Sequence, residues 1–370
     1  MLAVPLGRFY RSTTCFQSSH DIIPSSPVSL APSVPAVRSG AAGIMAEAMT
    51  KLAFLFPGQN SQYTGMGRDL AEKFPIARRT FEEADDALGF SISKLCFDGP
   101  EEQLKLTEFQ QPAICSVSVA ALRVLQEQGI SPAYVAGHSL GEYAANVAAG
   151  SLAFADAVRT VRQRGRFMQE AVPPGRGAMA AVLGLSSEET ARACNDAASE
   201  TQSIVSAANF NSPEQTVISG DAPAVERAAA LCRDRGAKRV VMLQVSAPFH
   251  CALMQPAQDR LAELLRATEF AVPGVPVAVN VDAALVSEPA QLREALIRQV
   301  TGAVRWVESV RLLIAQGPAA FVEVGPGKVL CGLMRQIDRS QSCVNVEDEA
   351  SLEKTLQSTG HRTQSSEHGA

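Results

Sequence analysis

Short continuous apolar runs alternate with segments whose apolar positions recur every three or four residues along most of the chain. The run KLAFLF from Lys51 predicts a strand. Helical patterns follow near 67 to 88 and from Gln111 to Gly129, the second apolar on most faces and therefore central. Next come a short strand (AYVAG), a tight turn at HSLGE and an Ala-rich helix. The order strand, helix, strand, turn, helix describes an α/β domain with a mainly parallel sheet.

Between Gly177 and Val245 the texture changes. GAMAAVLGL reads as a strand and SSEETARACNDAA as a helix opened by a capping box from Ser186 to Glu189. VSAANF and QTVISG are two strands around an Asn-Ser-Pro turn, Asp221 caps a helix through Arg235, and KRVVMLQV is a strand. That βαββαβ order predicts a ferredoxin-like small domain over 177–245, inserted into an α/β-hydrolase-like large domain made of 49–176 and 246–345. The large domain resumes with the helix PAQDRLAELL and closes on the strand AFVEV, the turn Gly325-Pro326-Gly327 and a helix from Lys328. Residues 346–370 read as a C-terminal tail.

Length and charge narrow the function classes. At about 150 residues per domain, 370 residues suit two domains or one large domain with an insert. Lys+Arg 33 against Asp+Glu 38 leaves a net charge of -5 with no basic block, so neither nucleic acid nor anionic lipid is an expected partner. No apolar stretch approaches the roughly 18 residues that a membrane span needs. Residues 1–48 are rich in Ser, Pro and Ala and poor in acids. They read either as a transit peptide, which puts the folded part in a mitochondrial or plastid matrix, or as untranslated sequence from an early start codon, which leaves it cytoplasmic. The eight cysteines form no CxxC pair and read as reduced thiols, without a zinc site or a disulfide framework.

Gly137-His138-Ser139-Leu140-Gly141 matches GxSxG between a strand and a helix, the setting of a nucleophile elbow. A serine hydroxyl needs a base. His138 is bonded to the nucleophile itself and points away from its hydroxyl, and three of the other four histidines fall in segments that look unstructured. That leaves His250, in APFHCALM. The segment FPGQNSQ puts Gln59 at the carboxyl end of the first strand, where open α/β sheets bind ligands. Its backbone N–H could pair with that of Leu140 as an oxyanion hole, although the same residues also read as an ordinary strand-to-helix loop. Val158, Val161, Arg164 and Met168 keep a helical spacing that buries Arg164. A buried guanidinium needs an anion, either a core carboxylate or a carboxylate of the substrate.

Taken together, FPGQNSQYTGMG, GHSLGEYAA, RGRFMQEAVP, NFNSPEQTVISG, APFHCAL and EVGPGKVL, in that order from Lys51 to Ile337, resemble the malonyl-CoA:acyl carrier protein transacylase family. The resemblance implies Ser139 as nucleophile, His250 as base, Arg164 as ligand of the malonyl carboxylate, and Gln59 and Leu140 as oxyanion-hole donors. It implies a malonyl-serine intermediate, malonyl-CoA as substrate and holo acyl carrier protein as partner, a monomer, and neither metal nor redox cofactor. Phe249, just before the base, is expected beside the α-carbon of the acyl group. Two positions depart from the family. Asn60 replaces a glycine of the first motif, a substitution Asn tolerates because it accepts positive φ. Arg305 stands where the family has a Gln whose backbone carbonyl orients the histidine, so Arg305 is the expected source of that carbonyl. The competing reading is a serine esterase or thioesterase, which would use water as acceptor and usually has an Asp or Glu between the serine and the histidine in chain order.

Overall fold

The computed structural model describes residues 51–245 and 247–360. The leader read over residues 1–48 and the last ten residues lie outside the described residues.

The chain opens with β1 (Leu52–Phe56), followed by α1 (Arg68–Lys73), α2 (Pro75–Leu88), α3 (Ile92–Asp98), α4 (Glu101–Leu104) and the long α5 (Thr107–Glu127). The single helical pattern read over 67–88 is two helices. Pro75 lacks an N–H and pushes Phe74 into extended backbone (φ -118, ψ 113), so it starts a new helix at the position where its missing donor costs nothing. β2 (Tyr134–Gly137), α6 (Gly141–Ala148) and α7 (Phe154–Glu170) complete the first part of the large layer.

The segment that changes texture folds as β3 (Gly177–Leu183), α8 (Ser187–Thr201), β4 (Val205–Ser212), β5 (Gln215–Asp221), α9 (Ala222–Asp234) and β6 (Arg239–Met242). Its strands form a separate antiparallel sheet in the order β4-β5-β3-β6. Ser186 caps α8 by accepting the Glu189 N–H. Asp221 precedes α9 but does not cap it. Its carboxylate instead accepts the Ile204 N–H at 3.1 Å and pairs with Arg176 at 3.2 Å, tying two strand ends together.

The large layer resumes with α10 (Gln255–Ala267), β7 (Val277–Val279), β8 (Ala284–Val286), α11 (Pro289–Arg298), α12 (Trp306–Ala315), β9 (Ala320–Val324), α13 (Val329–Ile337), β10 (Cys343–Val346) and α14 (Glu349–Ser358). Its sheet runs β10-β9-β1-β2-β7-β8, parallel except for β8. β1 is buried along its whole length, as a strand covered on both faces must be. Because β1, β2 and β7 are parallel neighbours, their carboxyl ends open on one rim.

Two expectations are corrected. Residues 346–360 are not a tail: α14 carries a full capping box at Asp348 and Ser351 and buries Leu352 and Leu356. Nor are all the cysteines reduced, since Cys331 and Cys343 form a disulfide. The pair escapes a spacing rule because it joins the first turn of α13 to the neighbouring strand β10, with Cα atoms 5.4 Å apart. Five other cysteines are free and buried, and Cys15 lies outside the described residues.

Candidate active site

Three strand ends converge on one cleft of about 480 Å³, whose walls include Gln59 after β1, Ser139 after β2, and His250 with Phe249 from the return of the small sheet. Ser139 sits at φ 52, in the left-handed region that most side chains avoid, and His250 sits at φ 58. Backbone strain of this kind persists only where the surroundings over-determine it. Here the glycines do so. A Cβ on Gly137 would lie 1.9 Å from the Gly141 carbonyl carbon, and one on Gly141 would lie 2.2 Å from the Phe56 carbonyl oxygen. The elbow can close only with hydrogen at both positions.

Ser139 Oγ lies 2.7 Å from His250 Nε2. On the other side of the ring, Nδ1 faces the carbonyl oxygens of Gln299 at 2.9 Å and Gly302 at 3.1 Å. Carbonyl oxygens only accept, so the proton is assigned to Nδ1 and Nε2 is left as the acceptor for the serine hydroxyl. The histidine-orienting carbonyls are therefore those of Gln299 and Gly302, and the expectation for Arg305 is wrong. Its carbonyl accepts from Ser309, and its side chain turns outward to Glu308 (Nε to Oε1 2.9 Å) and to the Asp282 carbonyl (3.0 Å). Arg305 opens α12, one turn of chain beyond the loop that faces the ring. Burial, and after it the nearby Arg164 charge, press the His250 pKa down to about 3, so the ring is neutral with Nε2 unprotonated.

Arg164 is fully buried on α7, in line with Val158, Val161 and Met168. Gly165 beside it makes this reach possible, because a Cβ there would lie 2.6 Å from the Thr107 carbonyl oxygen where α7 crosses α5. The guanidinium donates to Gln111 Oε1 (2.8 Å), Gln299 Oε1 (3.0 Å) and Ser139 Oγ (3.1 Å), while its Nε is buried without a partner. All three acceptors are neutral oxygens. Among the described residues no carboxylate is hydrogen-bonded to this cation. A hydrogen-bonded core ion pair, one of the two partners expected for Arg164, is not what the geometry contains.

Gln59 lies in the cleft wall with its side chain on Gln110 (2.5 Å). Among the described residues no hydrogen bond takes up the backbone N–H of Gln59 or of Leu140. The loop that carries Gln59 is pressed against the elbow, since a Cβ on Gly58 would lie 2.6 Å from the His138 carbonyl oxygen. Asn60 has φ 75, the left-handed backbone expected where a glycine is replaced by Asn. His138 turns away from the serine hydroxyl, with Nε2 at 2.8 Å from Asn211 Oδ1 and its ring edge-on to Trp306.

Sequence reasoning missed the second layer. Asn280 accepts the Ser139 N–H through Oδ1 (2.7 Å) and donates Nδ2 to the Gly137 carbonyl (2.7 Å), bracing both sides of the elbow. Gln299 serves four groups at once: its backbone carbonyl faces His250, its Oε1 faces Arg164, and its Nε2 donates to the Ser139 carbonyl and to Glu142 Oε2, each at 3.0 Å. Glu142, with its pKa raised by burial to about 7, also accepts the Asn280 N–H (2.8 Å). Of these, only Glu142 had a signal, its place in the GHSLGE turn. Among the described residues, no group of three or more His, Cys, Asp or Glu is placed to hold a metal ion.

The chain matches the acyl transferase domain family over residues 53–363. It is 53% identical over 290 residues to the malonyl CoA-acyl carrier protein transacylase of Escherichia coli (strain K12), covering 78% of this chain and 93% of that protein. Among solved structures, it resembles an acyl carrier protein S-malonyltransferase from Vibrio cholerae, with a TM-score of 0.81 and 49% identity over 83% of this chain and 100% of that one. A further structure, of a type II PKS acyl-carrier protein in complex with its malonyl-transacylase, matches with a TM-score of 0.81 and 48% identity, covering 84% of this chain and 100% of that one.

Proposed function

The chain belongs to the acyl transferase domain family, with the malonyl CoA-acyl carrier protein transacylases as its relatives, and on that premise we propose how its residues carry the reaction. It transfers the malonyl group of malonyl-CoA to acyl carrier protein, for fatty acid biosynthesis. His250 Nε2 takes the proton of Ser139 Oγ as that oxygen attacks the thioester carbonyl. The Gln59 and Leu140 N–H groups receive the tetrahedral oxyanion. Coenzyme A leaves with the proton from His250, and a malonyl-serine ester remains. The phosphopantetheine thiol of holo acyl carrier protein then loses its proton to His250 and takes the malonyl group, and the departing Ser139 oxygen recovers that proton from His250 Nε2.

Arg164 selects the acyl group. Three of a guanidinium's five N–H groups are engaged with neutral oxygens, so donors remain for the malonyl carboxylate and no carboxylate of the described residues is hydrogen-bonded to the cation. The observation that carries the reading is this buried cation with no carboxylate hydrogen-bonded to it, 3.1 Å from the nucleophile. The orienting carbonyls behind His250 argue against the esterase reading, which calls for a carboxylate there; Glu142 follows the serine in sequence but bonds Gln299 and Asn280 instead. Phe249 narrows the cleft beside the α-carbon. We also assign the large layer to an α/β-hydrolase-like domain and residues 177–245 to a ferredoxin-like insert, on the strand order 2-3-1-4 of the small sheet. The test is transfer from malonyl-CoA to holo acyl carrier protein. Malonyl on the holo carrier and none on the apo form is expected; release of free malonate at the same rate would favour the esterase.

A further inference from the structure

The mechanism leaves the Cys331–Cys343 pair unused, and it stands at a junction. Cys331 lies in the first turn of α13 between Leu330 and Leu333, and both of these leucines line the active-site cleft. Cys343 lies on edge strand β10 and opens onto a surface hollow of about 610 Å³ on the far side of α13. Two arginines, Arg335 and Arg339, line that hollow, and among the described residues neither is ion-paired. Asp338, between them in sequence, points its carboxylate at Ser340 and Gln341. The pair thus joins a half-buried cysteine, which shares a hollow with unpaired positive charge, to one whose residue is 7% exposed.

We propose that Cys331 and Cys343 form a reversible thiol–disulfide site that exchanges with a small anionic disulfide held by Arg335 and Arg339, and that its state is passed through α13 to the wall of the cleft. In the reduced protein the Cys343 thiolate attacks one sulfur of an oxidant of the glutathione disulfide class, forming a mixed disulfide and releasing one small thiol. The Cys331 thiolate then attacks the Cys343 sulfur, the intramolecular bond forms and the second small thiol leaves. Two protein thiols are oxidised, one disulfide of the oxidant is reduced, and the two protons end on the two released thiols. Positive charge at Cys343 favours both the thiolate and the approach of an anion. Glu323 accepts the Leu330 and Cys331 N–H groups at 2.9 and 2.8 Å, so α13 stays helical in either state while its tie to β10, and with it the seating of Leu330 and Leu333, is set by the disulfide.

The site itself does not depend on the acyl-transfer reading, whereas its effect on the cleft does; transfer by the reduced protein is therefore measured alongside. The full chain is reduced, equilibrated across ratios of glutathione to glutathione disulfide, quenched in acid, alkylated and mapped by peptide mass. Cys331 and Cys343 are expected to lose their alkylatable thiols together and to regain them with dithiothreitol, while Cys343→Ser keeps Cys331 alkylatable throughout. Arg335→Ala combined with Arg339→Ala should slow oxidation by glutathione disulfide about tenfold more at low salt than oxidation by the neutral 2-hydroxyethyl disulfide, which loses only the share due to the thiolate. Thiols that survive every ratio, or a lasting glutathione adduct in place of the internal bond, would overturn the site. Equal slowing with both oxidants would overturn the anionic recognition. Equal kcat/KM for malonyl-CoA in the oxidised and reduced protein would overturn the link to the cleft.

Discussion

Replacing Arg164 by Ala probes the selectivity of the site, and the structure sets the size of the effect. A hydrogen bond to a charged group contributes about 1.5 to 3 kcal/mol. A fork of two to the malonyl carboxylate is therefore about 3 to 6 kcal/mol, which at 1.4 kcal/mol per factor of ten is about 10² to 10⁴ in kcat/KM. Acetyl transfer has no carboxylate to lose but does lose the 3.1 Å contact from Arg164 to Ser139 Oγ, so it falls as well, by the share of one bond. The diagnostic quantity is the ratio of kcat/KM for malonyl-CoA to that for acetyl-CoA, expected to drop by about 10² to 10⁴ in Arg164→Ala. Arg164→Lys should restore only part of it, because an ammonium keeps the charge without the planar fork. Gln111 and Gln299 each lose a donor, so a melting curve accompanies the kinetics. Parallel losses for both substrates, with the ratio unchanged and the melting temperature lowered, would show that Arg164 only braces the core.

His250→Ala should slow acylation by about 10² to 10⁴, the usual share of general-base assistance, and stopped-flow release of coenzyme A measures it. Because His250 is held down to about 3, the acid limb of kcat/KM should lie far below the ordinary imidazole value; a limb near 6.5 would contradict this. The same depression means that protons favour the unfolded chain, so this group's contribution to stability declines as pH falls from about 6.5 towards 3, which melting in that window reports. Phe249→Ser should raise methylmalonyl-CoA use relative to malonyl-CoA by a factor worth about 1 to 3 kcal/mol, read from the two specificity constants. Gly137→Ala should abolish the active fold, since its Cβ would lie 1.9 Å from Gly141, and a parent-like melting curve with full activity would refute the packing argument.

What could be read from the sequence was local. The elbow, the strand before it and the helix after it are contiguous, so Ser139 and its glycines carried their own signature. Arg164 was legible because helical periodicity placed a cation among Val158, Val161 and Met168. His250 followed by elimination from few histidines. The second layer was not legible because its logic is non-local: Asn280 and Gln299 lie 141 and 160 residues from Ser139, in a stretch with no turn motif, and meet it only through the parallel pairing of β2 with β7. The Arg305 expectation failed for a related reason. A backbone carbonyl leaves no side-chain trace, so a family position six residues too far along could not be told from the right one. The disulfide between α13 and β10 likewise depends on strand order, which spacing does not encode.

The central claim is that Ser139 becomes a malonyl ester. Intact-mass spectrometry of the protein after exposure to malonyl-CoA without an acceptor tests it most directly. One malonyl adduct per chain is expected, mapped to the Ser139 peptide, absent in Ser139→Ala and discharged by holo acyl carrier protein. An adduct that persists in Ser139→Ala, or malonyl-CoA converted to free malonate with no adduct at any time, would contradict the account.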